Sequence, residues 1–107
     1  MMESSLYLYR IQPERAEMLT AGATEQEDKA VARHFEYLQH LTRSGVVLLA
    51  GRTLNTDSAS FGIVIFRAGS EQAARSIMLA DPAVRQGVFR AEIFPFRIAL
   101  LGAMGDA

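Results

Sequence analysis

The sequence predicts one α+β domain of the ferredoxin-like kind, with four antiparallel strands and two helices on one face of the sheet. Three observations support this. The chain has 107 residues, which suits a single domain. Four short runs rich in aliphatic and aromatic residues surround two segments with helical features. Their order along the chain is β-α-β-β-α-β, the split βαβ arrangement. We assign residues 1–107 to this domain and expect residues 102–107 to form a frayed end.

The first strand is predicted over residues 5–11, which are rich in aromatic and aliphatic side chains. A polar loop with a helical turn near residues 14–19 follows it. The second and third strands are predicted at 46–50 and 62–67. The small polar residues 51–60 between them make a longer loop than a simple hairpin requires.

The first helix, residues 25–44, has the clearest signals. Thr24 and Glu27 form the pattern of a capping box, and acidic residues in the first turn complement the helix dipole. Gly45 stands at the position after the helix, where a left-handed conformation favours glycine. Four apolar residues recur at the spacing of one helix face: Val31, Phe35, Leu38 and Leu41.

The second helix is predicted from an N-cap at Ser70 through Ala80. It ends at Asp81, because a residue before proline avoids helical geometry. The fourth strand is predicted over residues 91–100. Pro95 lies inside this strand, which indicates a position at the sheet edge or a bulge.

The composition excludes several classes of function. Half of the residues are hydrophobic and 21% are charged, which is typical of a globular protein. A net charge of −1 argues against a nucleic-acid partner. The absence of cysteine excludes disulfides and thiol nucleophiles, and two histidines are too few for a multi-histidine metal site. No glycine-rich phosphate loop, the usual sign of a nucleotide cofactor, is present. We expect no metal and no cofactor.

The predicted location is the cytoplasm. The first five residues lack the basic and apolar regions of a secretory signal, and no apolar run approaches the ~20 residues needed to span a bilayer. We therefore expect no membrane partner.

Both faces of the predicted sheet are apolar, whereas a sheet with one wet face alternates apolar and polar residues. Two helices cover only one face, and the other would expose an apolar patch larger than monomers usually carry. We predict a homodimer in which the open sheet faces pack together. The alternative is a monomer with a partly wet second face. The opposed sets are Leu6 and Leu8 against Tyr7, Tyr9 and Ile11, and Ile63 and Ile65 against Val64 and Phe66.

His34 falls inside the apolar stripe of the first helix, whereas His40 falls on its charged side. An inward histidine is a candidate general acid or base, because imidazole titrates near neutral pH. The alternative is a structural histidine bonded to a carbonyl.

Asp81, at the carboxyl end of the second helix, is the second candidate. It also fits the N-cap of a short turn that begins at Pro82. The two roles are compatible, since a capping carboxylate can still accept a bond from an imidazole.

The topology brings the start of the first helix and the end of the second to one end of the molecule. His34 and Asp81 are therefore predicted to share a cleft there, in the arrangement in which a carboxylate holds an imidazole tautomer. The loop that begins at Gly51 and Arg52 opens at the same end. We assign both to substrate binding, with Arg52 holding an anionic group; the alternative for Arg52 is a solvated loop residue.

From the first strand to about Arg97, these residues resemble the YciI-like family. The resemblance implies a dimeric α+β barrel in which His34 and Asp81 match the family's His–Asp pair. Arg52 departs from the family pattern, which usually has proline after the glycine, and the polar stretch 12–23 is longer than in compact members. The marks are Arg33-His34-Phe35-Glu36-Tyr37-Leu38, Gly45, Ala50-Gly51, Gly62, Asp81-Pro82 with Val84 and Gly87, and Ile93-Phe94-Pro95-Phe96.

The predicted function is a small cofactor-independent enzyme. His34 would transfer a proton on a small cyclic or aromatic anionic substrate, in an isomerase or a lyase of the dehydrochlorinase type that the resemblance implies. Asp81 would orient the imidazole. Two other hypotheses stay open: a non-catalytic ligand-binding or regulatory dimer that uses the same cleft, and a structural subunit of a larger assembly.

Overall fold

A computed structural model describes residues 5–104 and shows the predicted ferredoxin-like architecture. The four strands form one antiparallel sheet in the order β2-β3-β1-β4. The elements are β1 (Ser5–Pro13), a 3₁₀ turn (Ala16–Leu19), α1 (Glu25–Arg43), β2 (Val47–Arg52), β3 (Gly62–Ala68), α2 (Glu71–Ala80), α3 (Pro82–Arg85) and β4 (Phe89–Phe96).

The core lies between one face of the sheet and the helices. Alternate residues of the two central strands point into it, and Tyr9 and Phe66 are fully buried there. Their rings meet edge to face with centroids 5.6 Å apart, a favourable aromatic geometry. α1 and α2 close this core with Leu38, Ala74 and Met78.

The helix ends follow the predicted capping chemistry. The Thr24 hydroxyl accepts a bond from the Glu27 amide, and the Glu27 carboxylate accepts one from the Thr24 amide. Gly45 has a φ of 84°, the left-handed conformation expected after the helix. The Ser70 hydroxyl caps α2 by accepting a bond from the amide of Ala73.

Strand pairing moves several of the predicted boundaries. β1 continues to Pro13 because β4 supplies partners for its last residues. β2 runs to Arg52 because β3 pairs with it as far as Gly62, so Gly51 and Arg52 lie on a strand and not in the predicted loop. β4 ends at Phe96, which pairs with Leu6 near the start of β1, and no described strand continues the ladder beyond it. The strand predicted to reach residue 100 is therefore too long by four residues.

Pro95 lies on an edge strand, as its sequence context predicts. The apolar residues 98–101 have no place in the sheet, and Leu100 and Leu101 are exposed. Residues 102–104 adopt neither helix nor strand, and the rest of the predicted frayed end lies outside the described residues.

No helix of the described part of the chain, residues 5–104, covers the second face of the sheet. Leu8 and Ile65 pair there, with Phe94 and Leu49 beside them on the outer strands. Phe94 is 44% exposed and Leu49 is 52% exposed. This surface, defined by these four residues, is called the open face below; its pairing with a second copy stays a prediction.

No helix within residues 5–104 combines the length and the apolar character that crossing a membrane would require. The cytoplasmic location stays a prediction.

Candidate functional site

Asp81 is the centre of the site, at the junction of α2 and α3. Its side chain is fully buried, and both of its carboxylate oxygens accept hydrogen bonds within the protein. Oδ1 accepts a bond of 3.0 Å from the amide of Ala83, which caps α3. Oδ2 accepts bonds from Tyr9 and His34, each of 2.7 Å. Asp81 therefore has both predicted roles in geometry: cap and imidazole partner.

Tyr9 reaches Asp81 from β1. Its hydroxyl donates the bond to Oδ2, and the ring is fully buried in the core. Burial, with the adjacent Asp81 carboxylate, raises the pKa of the Tyr9 phenol far above its ordinary value. Tyr9 therefore keeps its proton and remains a hydrogen-bond donor.

His34 approaches from α1, and its side chain is 12% exposed. Nδ1 meets Asp81 Oδ2, and the edge of the ring packs against Phe89 of β4 with centroids 5.2 Å apart. These contacts fix the ring on two sides. Among residues 5–104, nothing hydrogen-bonds Nε2, and the ring lines a groove open to solvent.

The hydrogen-bond pattern selects one tautomer of a neutral His34. A carboxylate only accepts hydrogen bonds, so the imidazole proton lies on Nδ1 and the lone pair is on Nε2. An imidazole held in this way can accept a proton at Nε2 and return it, with the carboxylate stabilising the imidazolium that forms.

The groove lies between α1 and the strands β2 and β3, and its volume is about 1010 Å³. Apolar side chains predominate in its wall, with few polar groups among them, which is the usual character of a small-molecule site. The residues that line it include Met18, Val31, His34, Phe35, Arg52 and Phe89.

Phe35 differs from the sequence prediction. Its place in the apolar stripe of α1 predicts burial, yet it is 61% exposed. The groove explains the difference, because Phe35 lies on the part of α1 that faces this opening instead of the packed sheet. His40 is exposed, as predicted.

Gly51 and Arg52 both line the groove from β2. Arg52 pairs with Gly62 of β3 in the register of the sheet, and it is exposed. A Cβ on Gly62 would lie 3.0 Å from the Ile11 side chain, so a larger residue at this position would have to displace its neighbours. The structure thus brings Arg52 to the same groove as His34; its contact with a substrate stays a prediction.

The sequence predicted the meeting of His34 and Asp81 but not the participation of Tyr9 or Phe89. A signal for Tyr9 was available, since a tyrosine on the core face of a central strand needs a partner for its hydroxyl. For Phe89 there was none, because the predicted fourth strand began two residues later.

Within residues 5–104, no three His, Asp or Glu side chains form a cluster able to hold a metal ion.

Comparison with known proteins agrees with this architecture. The model of the YCII-related domain family matches residues 6–97. A solved structure of 5-chloro-2-hydroxyhydroquinone dehydrochlorinase from Burkholderia phenoliruptrix, in complex with 2,5-dihydroxybenzoquinone, superposes with a TM-score of 0.62 and 21% identity, covering 86% of this chain and 93% of that one. An uncharacterized protein of Thermotoga maritima has a TM-score of 0.55 and 12% identity, covering 89% of this chain and all of that one. At these identities the likeness shows the fold. No curated protein matches the chain.

Proposed function

Because the chain belongs to the YCII-related domain family, we propose that it is a small enzyme in which His34 acts as general acid or base and Asp81 orients it. The reaction proposed is proton transfer on a small cyclic or aromatic anionic substrate, in an isomerisation or an elimination. It needs neither metal nor cofactor.

One observation carries the proposal. The buried Asp81 binds His34 through Nδ1 at 2.7 Å, on the side of the ring away from the free Nε2. A histidine with a purely structural role needs only one acceptor, and a backbone carbonyl serves for that. Here the acceptor is a fully buried carboxylate, which stabilises the protonated ring that acid–base chemistry forms.

The groove supports the substrate class. Val31, Phe35 and Phe89 present apolar surface beside His34, which suits a planar ring. Arg52 lines the same groove and, with no hydrogen bond to residues 5–104, its guanidinium is free to bind a carboxylate or a phenolate.

A homodimer through the open face belongs to the same proposal. Phe94 and Leu49 are exposed on a face that none of the described helices covers, and the identical face of a second copy has the matching apolar character. Membership of the YCII-related domain family supports this proposal, because the resemblance to that family implies a dimeric α+β barrel.

The test begins with a thermal-shift screen of hydroxylated quinones, phenolic acids and lactones, followed by turnover assays on every compound that binds. These classes include the compound bound to the dehydrochlorinase. His34→Gln should abolish turnover and preserve the fold and the oligomeric state. His40→Gln is the matched control, because His40 is exposed on the same helix.

Turnover that survives His34→Gln would overturn the acid–base role. A ligand that binds in the groove and is never converted would favour the non-catalytic ligand-binding dimer instead. A mass in solution larger than a dimer, with no ligand found, would favour a structural subunit.

A further inference from the structure

We infer that Tyr9 is a positioning residue: its hydroxyl fixes Asp81 Oδ2 toward His34 and limits how strongly that oxygen holds the imidazole proton. This inference rests on the proposed role of His34 and adds a third residue to it, from an element that neither His34 nor Asp81 occupies.

The oxygen that Tyr9 uses as its acceptor supports this role. Asp81 has two oxygens with separate tasks, since Oδ1 caps α3 while Oδ2 binds His34. Tyr9 donates to Oδ2 at 2.7 Å, the same oxygen and the same distance as His34. A carboxylate oxygen that accepts two bonds divides its charge between them, so each donor affects the other.

Tyr37 offers a comparison with Tyr9 within the same chain. Tyr37 is also withdrawn from solvent, and its hydroxyl donates to the backbone carbonyl of Ile77 at 2.7 Å. That bond shows the simple way in which this fold satisfies a phenol. Tyr9 instead uses the carboxylate that holds the candidate acid or base.

Tyr9 has no direct access to the groove. Tyr9 is fully buried and does not line the groove, so it cannot touch a substrate there. Its influence on the reaction must pass through Asp81 and His34. We therefore expect Tyr9 to affect the rate of proton transfer and leave substrate binding unchanged.

Other groups around His34 set the background for this effect. Asp81 from the α2–α3 junction is hydrogen-bonded to the ring, and β4 contributes the uncharged Phe89. Asp28 from α1 and Arg52 from β2 line the groove that the ring faces. Burial raises the pKa of Tyr37, and Asp81 raises it further, so this neighbour stays neutral. Arg43, at the end of α1, also lines the groove.

The experiment is an NMR titration of the histidine rings in the wild type and in Tyr9→Phe. The chain has two histidines and three tyrosines, so the signals are few, and the exposed His40 is an internal reference. Without the hydroxyl, Asp81 Oδ2 accepts a bond from His34 and no longer from Tyr9. The carboxylate therefore interacts more strongly with the protonated ring. The midpoint of the His34 titration should therefore move to higher pH by roughly half a unit to one unit.

Tyr37→Phe is the matched control, because it removes the same hydroxyl from a neighbouring phenol that does not bind Asp81. In this variant the His34 midpoint should stay at its wild-type value. If a substrate is found, Tyr9→Phe should lower kcat at neutral pH with KM unchanged, and the acid limb of the pH profile should move with the His34 midpoint.

An unchanged His34 midpoint in folded Tyr9→Phe would overturn the inference and reduce Tyr9 to a structural residue. If this variant does not fold, the wild type with ¹³C-labelled tyrosine decides. The ring carbon bearing the Tyr9 hydroxyl should shift as His34 titrates, and a signal that stays still would overturn the coupling. The proposed function fails separately, when His34→Gln retains turnover.

Discussion

The two sides of the sheet differ in the kind of side chain that is buried or exposed. On the helix side, the carboxylate of Asp81 is fully buried. On the open face, Phe94 and Leu49 are each about half exposed to solvent. A scale of hydrophobicity predicts the reverse for all three residues. The difference shows that burial here follows the available partners: Asp81 has three hydrogen-bond donors, and no element within residues 5–104 covers the open face.

Each side therefore depends on a different kind of interaction. The Asp81 site depends on hydrogen bonds within one chain, and the loss of a single donor or acceptor leaves a buried polar group without a partner. The open face depends on apolar area, and the proposal assigns its cover to a second chain. Variants of the two sides should therefore fail in different assays.

The largest effect is expected from Asp81→Asn. The asparagine carbonyl can keep the cap of α3, but its amide would donate to Nδ1 and place the imidazole proton on Nε2, the wrong nitrogen for a base. Once a substrate is in hand, kcat should fall by roughly 10²- to 10⁴-fold. Steady-state kinetics measure this, and the circular dichroism spectrum should match that of the wild type. A rate near the wild-type value would show that tautomer selection by Asp81 is irrelevant.

Asp81→Ala should have the next largest effect, now on stability. It leaves the Tyr9 hydroxyl and the Ala83 amide without their acceptors and removes the cap of α3. We expect the free energy of unfolding to fall by about 2–4 kcal/mol, as measured by urea denaturation. Since Asp81→Asn retains an acceptor, it should lose clearly less. Equal losses in the two variants would contradict the hydrogen-bond account of the site.

Phe94→Lys tests the other side of the sheet. A lysine on the open face would place a charge in the proposed dimer interface, and the dissociation constant should rise on the order of tenfold or more. Analytical ultracentrifugation measures it. Leu79→Lys is the matched control, because Leu79 is 53% exposed but lies on α2, away from the open face. A dimer equally affected by both variants, or by neither, would place the interface elsewhere.

The smallest effect concerns the ion pair that connects the 3₁₀ turn to α1. The Arg15 guanidinium, helped by the Thr24 amide, lowers the pKa of Glu27 from its ordinary value of 4.5 to about 2. A lowered pKa in the folded state stabilises the protein above the unfolded pKa, and this contribution disappears as the pH falls toward 2.

In thermal melts, the Glu27→Gln variant should therefore lose less stability than the wild type as the pH falls from 4.5 to 2. Glu71→Gln is the control, since its partner Arg75 lies one turn away in an exposed i,i+4 pair. If Glu27→Gln and the wild type lose stability equally as the pH falls, this ion pair makes no contribution to acid stability.

Local signals in the sequence predicted much of this structure. The capping box at Thr24, the glycine at Gly45 and the Asp81-Pro82 pair each act through the chemistry of a few neighbouring residues, so each is visible in the sequence. The strand ends were less predictable, because Phe96 ends β4 only through the point at which its partner β1 begins. The exposure of Phe35 was also beyond local reasoning, since it depends on how α1 lies across the sheet.

Two of the three bonding partners of Asp81 come from distant parts of the chain. Tyr9 is 72 positions away from Asp81 and His34 is 47 positions away. These bonds are among the last that a growing chain can complete, because the carboxylate is synthesised long after the tyrosine. A ribosome-bound or truncated chain that ends before residue 81 would contain the imidazole and the phenol without the group that joins them. Any activity of the site is thus a property of the complete fold, and its appearance would report that β1, α1 and the α2–α3 junction have assembled.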